Sequence, residues 1–345
     1  MPKLIDHLAD LTGQRDRDML DITLAIAVGD LLRPRSVAIC RAVGEGSEQR
    51  WTTRASLREG EAVATADPAW VSMEDLPLLD RYPLRCAALS GQMIVSGEAG
   101  ASVSVFPLST DRETVGVVEV VTDAPLDANE QHVVSSVLRL FRNFQALLDY
   151  SERDTLTGLL NRKTFDDAFF KTIQQSPAAA AAACAGEERR HTGGAARPCW
   201  LAMVDIDFFK SVNDNYGHLI GDEVLLLLSR LMRSTLRFHD QLYRFGGEEF
   251  VVLIPCDTES NAATALERLR QNAESYAFPQ VGRLTVSIGF DMILPNDSPT
   301  SALERADRAV YHAKAHGRNQ VCSYRDLLAQ GHLAAAEKVG EVELF

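Results

Sequence analysis

Three things are scarce or missing in this sequence, and each excludes a class of protein. Basic residues are outnumbered, 35 Lys and Arg against 48 Asp and Glu, which leaves a net charge of −13 and no basic stripe for a nucleic acid. No apolar run approaches the ~18 residues that a membrane-spanning helix needs, and an N-terminus with Asp6 and Asp10 does not resemble a signal peptide. The six cysteines form no C-x-x-C pair. We therefore expect a cytoplasmic protein with reduced thiols.

A length of 345 residues suggests two domains. In the first half, helical stripes at 1–14 and 16–32 precede a series of strands, and Pro34 stops the second helix. The strands are expected at 36–43, 50–56, 92–96, 101–108 and 114–122. A long helix then opens near Asp127. This order indicates a small α/β sensor or dimerisation domain, and the sequence does not identify its ligand.

The long helix carries an apolar seam with the 4, 3, 4, 3 spacing of a heptad repeat. The seam consists of Val133, Val137, Leu140, Phe144 and Leu147. A second set widens the stripe, so we expect one flank to pack on the first domain: Val134, Leu138, Phe141 and Leu148. Two interpretations stay open. We favour a parallel contact between the helices of two protomers; the alternative is an amphipathic helix that covers only its own core.

Two acidic segments of the second half are predicted to meet. The apolar run 200–204 has the pattern of a central buried strand, and Asp205 and Asp207 follow it. Further on, Gly246 and Gly247 lie between apolar runs and predict a tight β-hairpin whose rim carries two more carboxylates. Crowded carboxylates favour a hard cation such as Mg²⁺, which prefers oxygen ligands. The order of elements from residue 200 onward predicts a split β-α-β domain around an antiparallel sheet, and 176–198 has the composition of a flexible surface loop.

Five motifs, in order and in register, resemble the GGDEF family of diguanylate cyclases in its GGEEF form. They are Asp154-Thr-Leu-Thr-Gly-Leu-Leu-Asn161-Arg162, the Asp205 segment, Asn213-Asp-Asn-Tyr-Gly-His218-Leu-Ile-Gly-Asp222, the hairpin Gly246-Gly247-Glu248-Glu249-Phe250, and Lys314-Ala-His-Gly-Arg318-Asn319. The first half is similar to a GAF domain, with a PAS domain as the alternative.

The resemblance implies an α/β (α+β) fold in four parts. These are a GAF-like sensory or dimerisation domain at 1–126, a helical coiled-coil connector at 127–153, a GGDEF domain at 154–326 and a C-terminal extension at 327–345. The GGDEF domain is expected to have an antiparallel sheet flanked by helices, similar to the palm of nucleotide cyclases. Asn161 is expected to cap the helix that follows it.

The family reaction condenses two GTP into cyclic di-GMP and two pyrophosphates, and the resemblance implies a role for each matching residue. Two Mg²⁺ ions per site, with Mn²⁺ as an alternative, would be bound by Asp205, the Ile206 carbonyl, Glu248 and Glu249. The catalytic set would be Glu248, Asp205 and Lys210, while Asp207 would support a ligand or be exposed.

Substrate binding is implied by the remaining motifs. The phosphates would be held by the N–H groups of Phe208 and Phe209 and by Lys210, Lys314 and Arg318, the last two placed one helical turn apart on one face. Guanine recognition would use Asn213, His218 and Asp222. As an alternative or additional role, Asp222 would be the N-cap of a helix from 223 to 236. Arg237 and Asp240 match the R-x-x-D site at which cyclic di-GMP inhibits its own synthesis.

One such site holds one GTP, so a homodimer is expected to bring two sites face to face around a two-fold axis. The first domain and the connector would then control activity by shifting the dimer geometry. A second hypothesis is a catalytically silent receptor for GTP or cyclic di-GMP, although the hairpin and the metal-binding aspartate are both intact. A third is a cyclase with relaxed base choice, against which Asp222 argues.

Overall fold

The computed structural model describes residues 2–14, 17–44, 46–61, 63–67, 71, 73–98, 100–110, 113–174, 197–237 and 239–333. The chain divides into two compact units, with the boundary between Ser151 and Glu152. Except for its last two residues, the predicted loop at 176–198 lies outside the described residues. Every helix in the described ranges is too short or too polar to cross a bilayer.

Unit 1 contains a five-stranded antiparallel sheet in the order β2-β1-β5-β4-β3. The strands are β1 (Ser36–Val43), β2 (Arg50–Arg58), β3 (Ile94–Glu98), β4 (Ala101–Ser109) and β5 (Thr114–Thr122). Helices α1 (Pro2–Gly13) and α2 (Arg17–Leu32) precede the sheet, and α3 (Pro83–Ala88) lies between β2 and β3. All five strands were predicted, each to within two residues at either end.

The unit 1 sheet is buried on both faces, which explains its continuous apolar strands. Neighbouring residues point to opposite faces because side chains alternate along a strand. Thus Ile39 and Val118 pack with α2 in the larger core, while Cys40 and Val117 pack around Trp51 in a smaller core on the other side. The second face also carries a charged pair, in which the Arg85 guanidinium donates two hydrogen bonds to the Glu119 carboxylate at 2.8 and 2.9 Å.

Helix α4 (Ala128–Glu152) starts at a reciprocal cap, because Glu130 N donates to Asp127 Oδ1 and Asp127 N donates to Glu130 Oε2. Its buried stripe packs into the larger core of unit 1: Val134, Val137, Leu138 and Phe141. The expected packing of one flank on the first domain is thereby confirmed. Leu147 of the predicted seam is 67% exposed. A contact between two protomers along this seam stays a prediction.

Unit 2 contains a six-stranded sheet in the order β13-β12-β7-β9-β8-β6. Its strands are β6 (Leu160–Asn161), β7 (Cys199–Ile206), β8 (Gln241–Gly246), β9 (Glu249–Pro255), β12 (Val286–Met292) and β13 (Val321–Ser323), and β10 (Ala277–Phe278) pairs with β11 (Gly282–Arg283) beside it. The four central strands are antiparallel, while β6 and β13 run parallel to their neighbours. The predicted antiparallel sheet is confirmed, and the short strands β6, β10 and β11 were missed.

Six helices of unit 2 flank this sheet in the described ranges. They are α5 (Arg162–Gln174), α6 (Phe209–Tyr216), α7 (His218–Thr235), α8 (Glu259–Ser275), α9 (Pro299–Ala315) and α10 (Tyr324–Ala329). Asn161 caps α5 as predicted, since Thr164 N donates to its Oδ1 at 3.2 Å. The expected C-terminal extension from residue 327 is partly built into the unit, because Leu327 packs against Ala309 and Ala313 of α9.

Strand β7 is the centre of unit 2 and fixes the place of the site. One side of the strand, with Trp200, Ala202 and Val204, packs against α7 and α8, and the other, with Leu201, packs against α5. With both faces covered, the strand is apolar until its end. The chain then turns at Phe208, whose φ of 56° is left-handed, and α6 begins.

Candidate functional site

Two acidic segments meet at one end of the unit 2 sheet, as predicted. Asp205 lies directly opposite Glu249 in the register of β7 and β9. Gly247 and Glu248 form the two-residue loop between the paired residues Gly246 and Glu249. Gly247 has a φ of 52°, which a side chain would strain, so glycine is required for the turn that presents Glu248.

The negative charges of this cluster are only partly compensated. Burial raises the pKa of Asp205, the nearby charges of Glu249 and Asp207 raise it further, and Lys314 opposes the rise. Burial also raises the pKa of Glu248, with the charge of Asp205 adding to it. A cation that joined these carboxylates would therefore be stabilised.

Lys314 supplies a positive charge at this point. Its Nζ lies 2.7 Å from Asp205 Oδ1. In the described part of the chain, no three His, Cys, Asp or Glu side chains are arranged to hold a metal ion. The carboxylates nevertheless have the hard oxygen donors that Mg²⁺ prefers. The carboxylate cluster therefore has the chemistry of a cation site. The Lys314 ammonium is the positive charge that lies beside Asp205 in this structure.

Arg318 does not lie on the same helix face as Lys314, so that prediction is wrong. Helix α9 ends at Ala315, and the chain passes through three residues with positive φ, namely Gly317, Arg318 and Asn319. The Arg318 guanidinium instead stacks over the Phe208 ring, 4.2 Å from its centroid. Lys314 thus contacts the end of β7 at Asp205, and Arg318 contacts the turn after β7 at Phe208.

Asp207 is buried rather than exposed, and it has a structural role. It is 4% exposed and accepts hydrogen bonds from Thr285 Oγ1 and Ser287 Oγ, both at 2.7 Å, and from Asn319 N at 3.0 Å. Arg270 Nη1 donates to the Asn319 side chain at 2.7 Å. These bonds fix the strained turn that carries Arg318 against the end of β7.

The N-terminus of α6 is placed to bind an anion. Phe208 forms the cap without a side-chain hydrogen bond. The first N–H groups of a helix, here those of Phe209 and Lys210, have no acceptor within the helix, and the helix dipole favours negative charge there. The side chains of Phe208 and Lys210 are exposed, while Phe209 is buried. The predicted phosphate-binding residues are therefore brought together with Asp205.

The residues predicted to bind guanine lie on α6 and α7. Helix α7 begins at His218 with Gly217 as its cap, so the alternative role of Asp222 as an N-cap is wrong. His218 and Asp222 are both exposed and four residues apart, hence on one face. A Cβ at Gly221 would lie 2.0 Å from Asn213 Oδ1, which means that glycine allows Asn213 to pack against α7.

Arg237 and Asp240 form a tight turn after α7. Arg237 N donates to Asp240 Oδ2 at 2.7 Å, and Asp240 N donates to the Arg237 carbonyl at 3.0 Å. Burial raises the pKa of Asp240 to about 6, although the Arg237 N–H and the charges of Arg237 and Arg268 lower it. No local pattern predicted a role for Arg268, because this residue lies on α8 and reaches the turn only in the fold.

A second contact that the sequence did not reveal holds the hairpin in place. Arg244 donates from Nε and Nη2 to the Gly247 carbonyl at 3.2 and 2.9 Å, and from Nη1 to Asp154 Oδ1 at 3.0 Å. The same Asp154 oxygen accepts from the Thr157 N–H and hydroxyl. Arg244 therefore joins the loop before Glu248 to the turn at the start of unit 2.

Comparisons with known proteins agree on one family. Residues 151–320 match the family described as "Diguanylate cyclase, GGDEF domain". The chain is 32% identical over 208 residues to diguanylate cyclase DgcZ of Escherichia coli, which covers 59% of this chain and 64% of DgcZ. It is 35% identical over 188 residues to response regulator PleD of Caulobacter vibrioides, which covers 53% of this chain and 38% of PleD. The chain thus spans less than two thirds of these two curated relatives.

Two solved structures are similar to part of this chain in sequence. The coiled coil and GGDEF domain of DgcB from Caulobacter crescentus, in complex with c-di-GMP, is 30% identical and has a TM-score of 0.47; the match covers 57% of this chain and 97% of that one. Diguanylate cyclase SiaD from Pseudomonas aeruginosa, in complex with its activator SiaC, is 31% identical with a TM-score of 0.46, over 56% of this chain and 70% of SiaD. The GGEEF hairpin, the acidic strand end and the family match show that residues 151–320 form a GGDEF domain, and diguanylate cyclases are among the relatives of this chain.

Proposed function

We propose that this protein condenses two GTP molecules into cyclic di-GMP with release of two pyrophosphates. In this reaction the ribose 3′-hydroxyl of each nucleotide attacks the α-phosphorus of the other. The observation that carries the proposal is the register that sets Asp205 opposite Glu249, with Glu248 on the adjoining turn. The three carboxylates belong to neighbouring strand ends, where a reacting phosphate can approach from solvent.

The carboxylate cluster is suited to Mg²⁺, with Mn²⁺ as an alternative, and we assign two ions to each site. Asp205, the Ile206 carbonyl, Glu248 and Glu249 would hold them. When bound, the metal lowers the pKa of the attacking hydroxyl and offsets charge on the phosphate. Support comes from the donor chemistry and from the raised pKa of Asp205 and Glu248, caused first by burial and then by neighbouring negative charge.

The phosphates of GTP would bind at the start of α6. The N–H groups of Phe208 and Phe209 lie at this point, Lys210 is in the first turn of the helix, and the Arg318 guanidinium lies over Phe208. Lys314 would leave Asp205 and contact the phosphates once a cation has taken its place. The positive charge that balances Asp205 without nucleotide would then balance the nucleotide itself.

Guanine would be recognised by residues on α6 and α7. The Asp222 carboxylate is suited to accept hydrogen bonds from guanine N1–H and N2–H₂, and adenine has no matching donors on that edge. Asn213 adds a side-chain amide that packs against Gly221, and His218 lies one turn before Asp222. This set favours GTP over ATP.

A complete reaction requires two protomers, because each site holds one nucleotide. We assign the dimer contact to the connector at 127–153 and the regulation to unit 1, a GAF-like sensor for a ligand not yet identified. Its 2-1-5-4-3 antiparallel sheet, with α1, α2 and α4 packed on one face, supports a sensor of this kind. Arg237 and Asp240 would bind cyclic di-GMP and limit its synthesis.

Incubation of the full chain with GTP and Mg²⁺ tests the proposal, with cyclic di-GMP identified by mass spectrometry. We expect product from the wild-type protein and a loss of about 10²-fold or more in Asp205→Ala and Glu248→Ala. Asp214→Ala, which removes an exposed aspartate on α6, is the matched control and should retain activity. Binding of GTP without turnover would instead identify a silent receptor.

A further inference from the structure

Three histidines gather on unit 2 at the end of α9, apart from the acidic cluster. His312 lies on α9, His316 directly after it, and His332 after α10. The rings of His312 and His316 are stacked, with centroids 3.8 Å apart and 15° between their planes. The rings of His312 and His332 have centroids 5.5 Å apart. Neither the fold nor the proposed cyclase reaction requires three imidazoles at this place.

His312 is partly buried, and its ring nitrogens are not exposed to solvent. Neither ring nitrogen has a hydrogen-bond partner in the described part of the chain. An unpartnered buried polar group costs free energy, so its presence in a folded protein calls for a ligand or a function. Burial lowers the pKa of His312, and the charges of His316 and His332 lower it further. The neutral ring has a lone pair available for coordination.

One hydrogen bond sets which ring nitrogen of His316 carries the proton. Its Nδ1 lies 2.9 Å from the His312 carbonyl oxygen, which can only accept, so Nδ1 carries the proton and Nε2 carries the lone pair. A backbone carbonyl that holds one ring nitrogen of a histidine while the other binds metal is a common arrangement around metal sites. The spacing of four residues between His312 and His316 is that of two histidines that chelate one ion from a helix.

The backbone that carries His332 is fixed relative to α9. His332 N donates to the Leu327 carbonyl at 2.9 Å, and Gly331 with its φ of 75° makes this turn possible at the end of α10. Leu327 packs against Ala309 and Ala313 of α9. The His332 side chain itself is exposed. Its ring can therefore turn toward α9 without any movement of the chain.

We propose that His312, His316 and His332 form a binding site for a late first-row divalent cation such as Zn²⁺. Three imidazoles with an open fourth position suit Zn²⁺, Ni²⁺ or Cu²⁺ and discriminate against Mg²⁺, which prefers oxygen. The stacked rings do not converge on one point, in keeping with the finding for the described residues that no three such side chains are arranged to hold a metal. Binding thus requires rotation of the rings about their side-chain bonds while both helices stay in place. The ion would fasten the segment after α10 to the end of α9.

Calorimetric titration of the full chain with Zn²⁺, in a large excess of Mg²⁺ to occupy the carboxylates, tests the site. We expect one Zn²⁺ per chain, and an affinity at least about tenfold weaker in His316→Ala and in His332→Ala. Both side chains are exposed, so these variants should fold. His132→Ala, which removes an exposed histidine of α4, is the matched control and should bind like the wild type.

Spectroscopy with Cu²⁺ identifies the donors independently of any activity. The electron paramagnetic resonance spectrum of the bound ion should show coupling to imidazole nitrogens, and this coupling should be reduced in His316→Ala. Unchanged Zn²⁺ affinity in both histidine variants would overturn the proposal. So would loss of Zn²⁺ binding in Cys86→Ser or Asp205→Asn, because the ion would then belong to the exposed thiol or to the acidic cluster.

Discussion

Lys314 Nζ lies 2.7 Å from Asp205 Oδ1, so the end of α9 neutralises the carboxylate at the end of β7. Both side chains belong to the proposed active site, and they use each other as counterions. A cation that bound Asp205 through Oδ1 would compete with the ammonium, and a displaced ammonium would be free for the phosphates of the nucleotide. Metal and nucleotide binding should consequently support each other.

Replacement of Lys314 by Met should move the acid limb of the pH–activity profile to higher pH. The ammonium lowers the pKa of Asp205 against the effect of burial, so its removal raises that pKa further. Asp205 must be ionised to hold a cation, and kcat/KM for GTP should follow its ionisation in the free enzyme. We also expect kcat/KM to fall about 10²-fold at the optimum, because a phosphate contact is lost. Lys163→Met, at an exposed position on α5, should leave the profile unchanged; an acid limb that stayed in place in Lys314→Met would contradict the pairing.

Asp205→Asn should abolish activity and yet stabilise the protein at neutral pH. Because burial raises the pKa of Asp205, the folded state binds this proton more tightly than the unfolded state does. The ionised carboxylate therefore costs stability, and this cost is present at pH 7 and disappears below about pH 4, where Asp205 is protonated in both states. We expect the Tm at pH 7 to rise by about 2–4 °C, the shift that about 1 kcal/mol gives in a domain of this size.

Calorimetric melting curves at several pH values, without Mg²⁺, are the measurement for Asp205→Asn. The difference from wild type should shrink as the pH approaches 4. Asp214→Asn is the matched control, since it removes an exposed carboxylate from α6 and should leave the Tm unchanged. A variant that melted below the wild type at pH 7 would mean that the contact with Lys314 outweighs the cost of burial.

Asp154→Asn should destabilise unit 2 and lower kcat through the hairpin. Burial works against the ionised form of Asp154, but hydrogen bonds from Thr157 and Arg244 more than offset it and lower the pKa. A lowered pKa gives stability that is present above about pH 4 and is lost as the pH falls through the folded-state pKa. At pH 7 the variant should lose about 1–2 kcal/mol, the net value of hydrogen bonds to a charged group.

Arg244→Gln should lose the same amount of unfolding free energy. Because each single variant already removes the contact between Asp154 and Arg244, the double variant should lose less than the sum of the two. Urea unfolding measures the stability, and turnover at saturating GTP reports how well Glu248 is held. Arg230→Gln, an exposed arginine on α7, provides the control. Fully additive losses would show that Arg244 does not act on the hairpin through Asp154.

The sequence was sufficient to place the acidic residues but not the residues that hold them. A buried strand that ends in Asp205 and two glycines between apolar runs are local patterns, and the structure contains both. By contrast, Asp154 and Arg244 are 90 residues apart, and no local pattern connects them. Arg318 was misplaced because helical spacing was extended past Ala315, whereas Asp207 and Arg270 hold this segment in left-handed conformations. The left-handed conformations of Arg318 and Asn319 are thus set by tertiary contacts, which the helical propensity of the local sequence does not reveal.

Inhibition by cyclic di-GMP should weaken as the pH falls through about 6. Burial raises the pKa of Asp240 to about 6, and the carboxylate can accept from guanine N–H groups only while it is ionised. One unit below the pKa, about nine tenths of the carboxylates are protonated, so product affinity should be about tenfold weaker than at pH 8.

Calorimetric titration with cyclic di-GMP measures this directly and is unaffected by the pH dependence of turnover. Asp240→Asn should bind weakly at every pH and lose the pH dependence of the wild type. Arg237→Ala should lose about 10²-fold in affinity but keep a pH dependence, because Asp240 still titrates. A dissociation constant that stayed constant from pH 8 to pH 5 in the wild type would remove Asp240 from the inhibitory site, because Asp240 is the one carboxylate that the sequence has between α7 and β8.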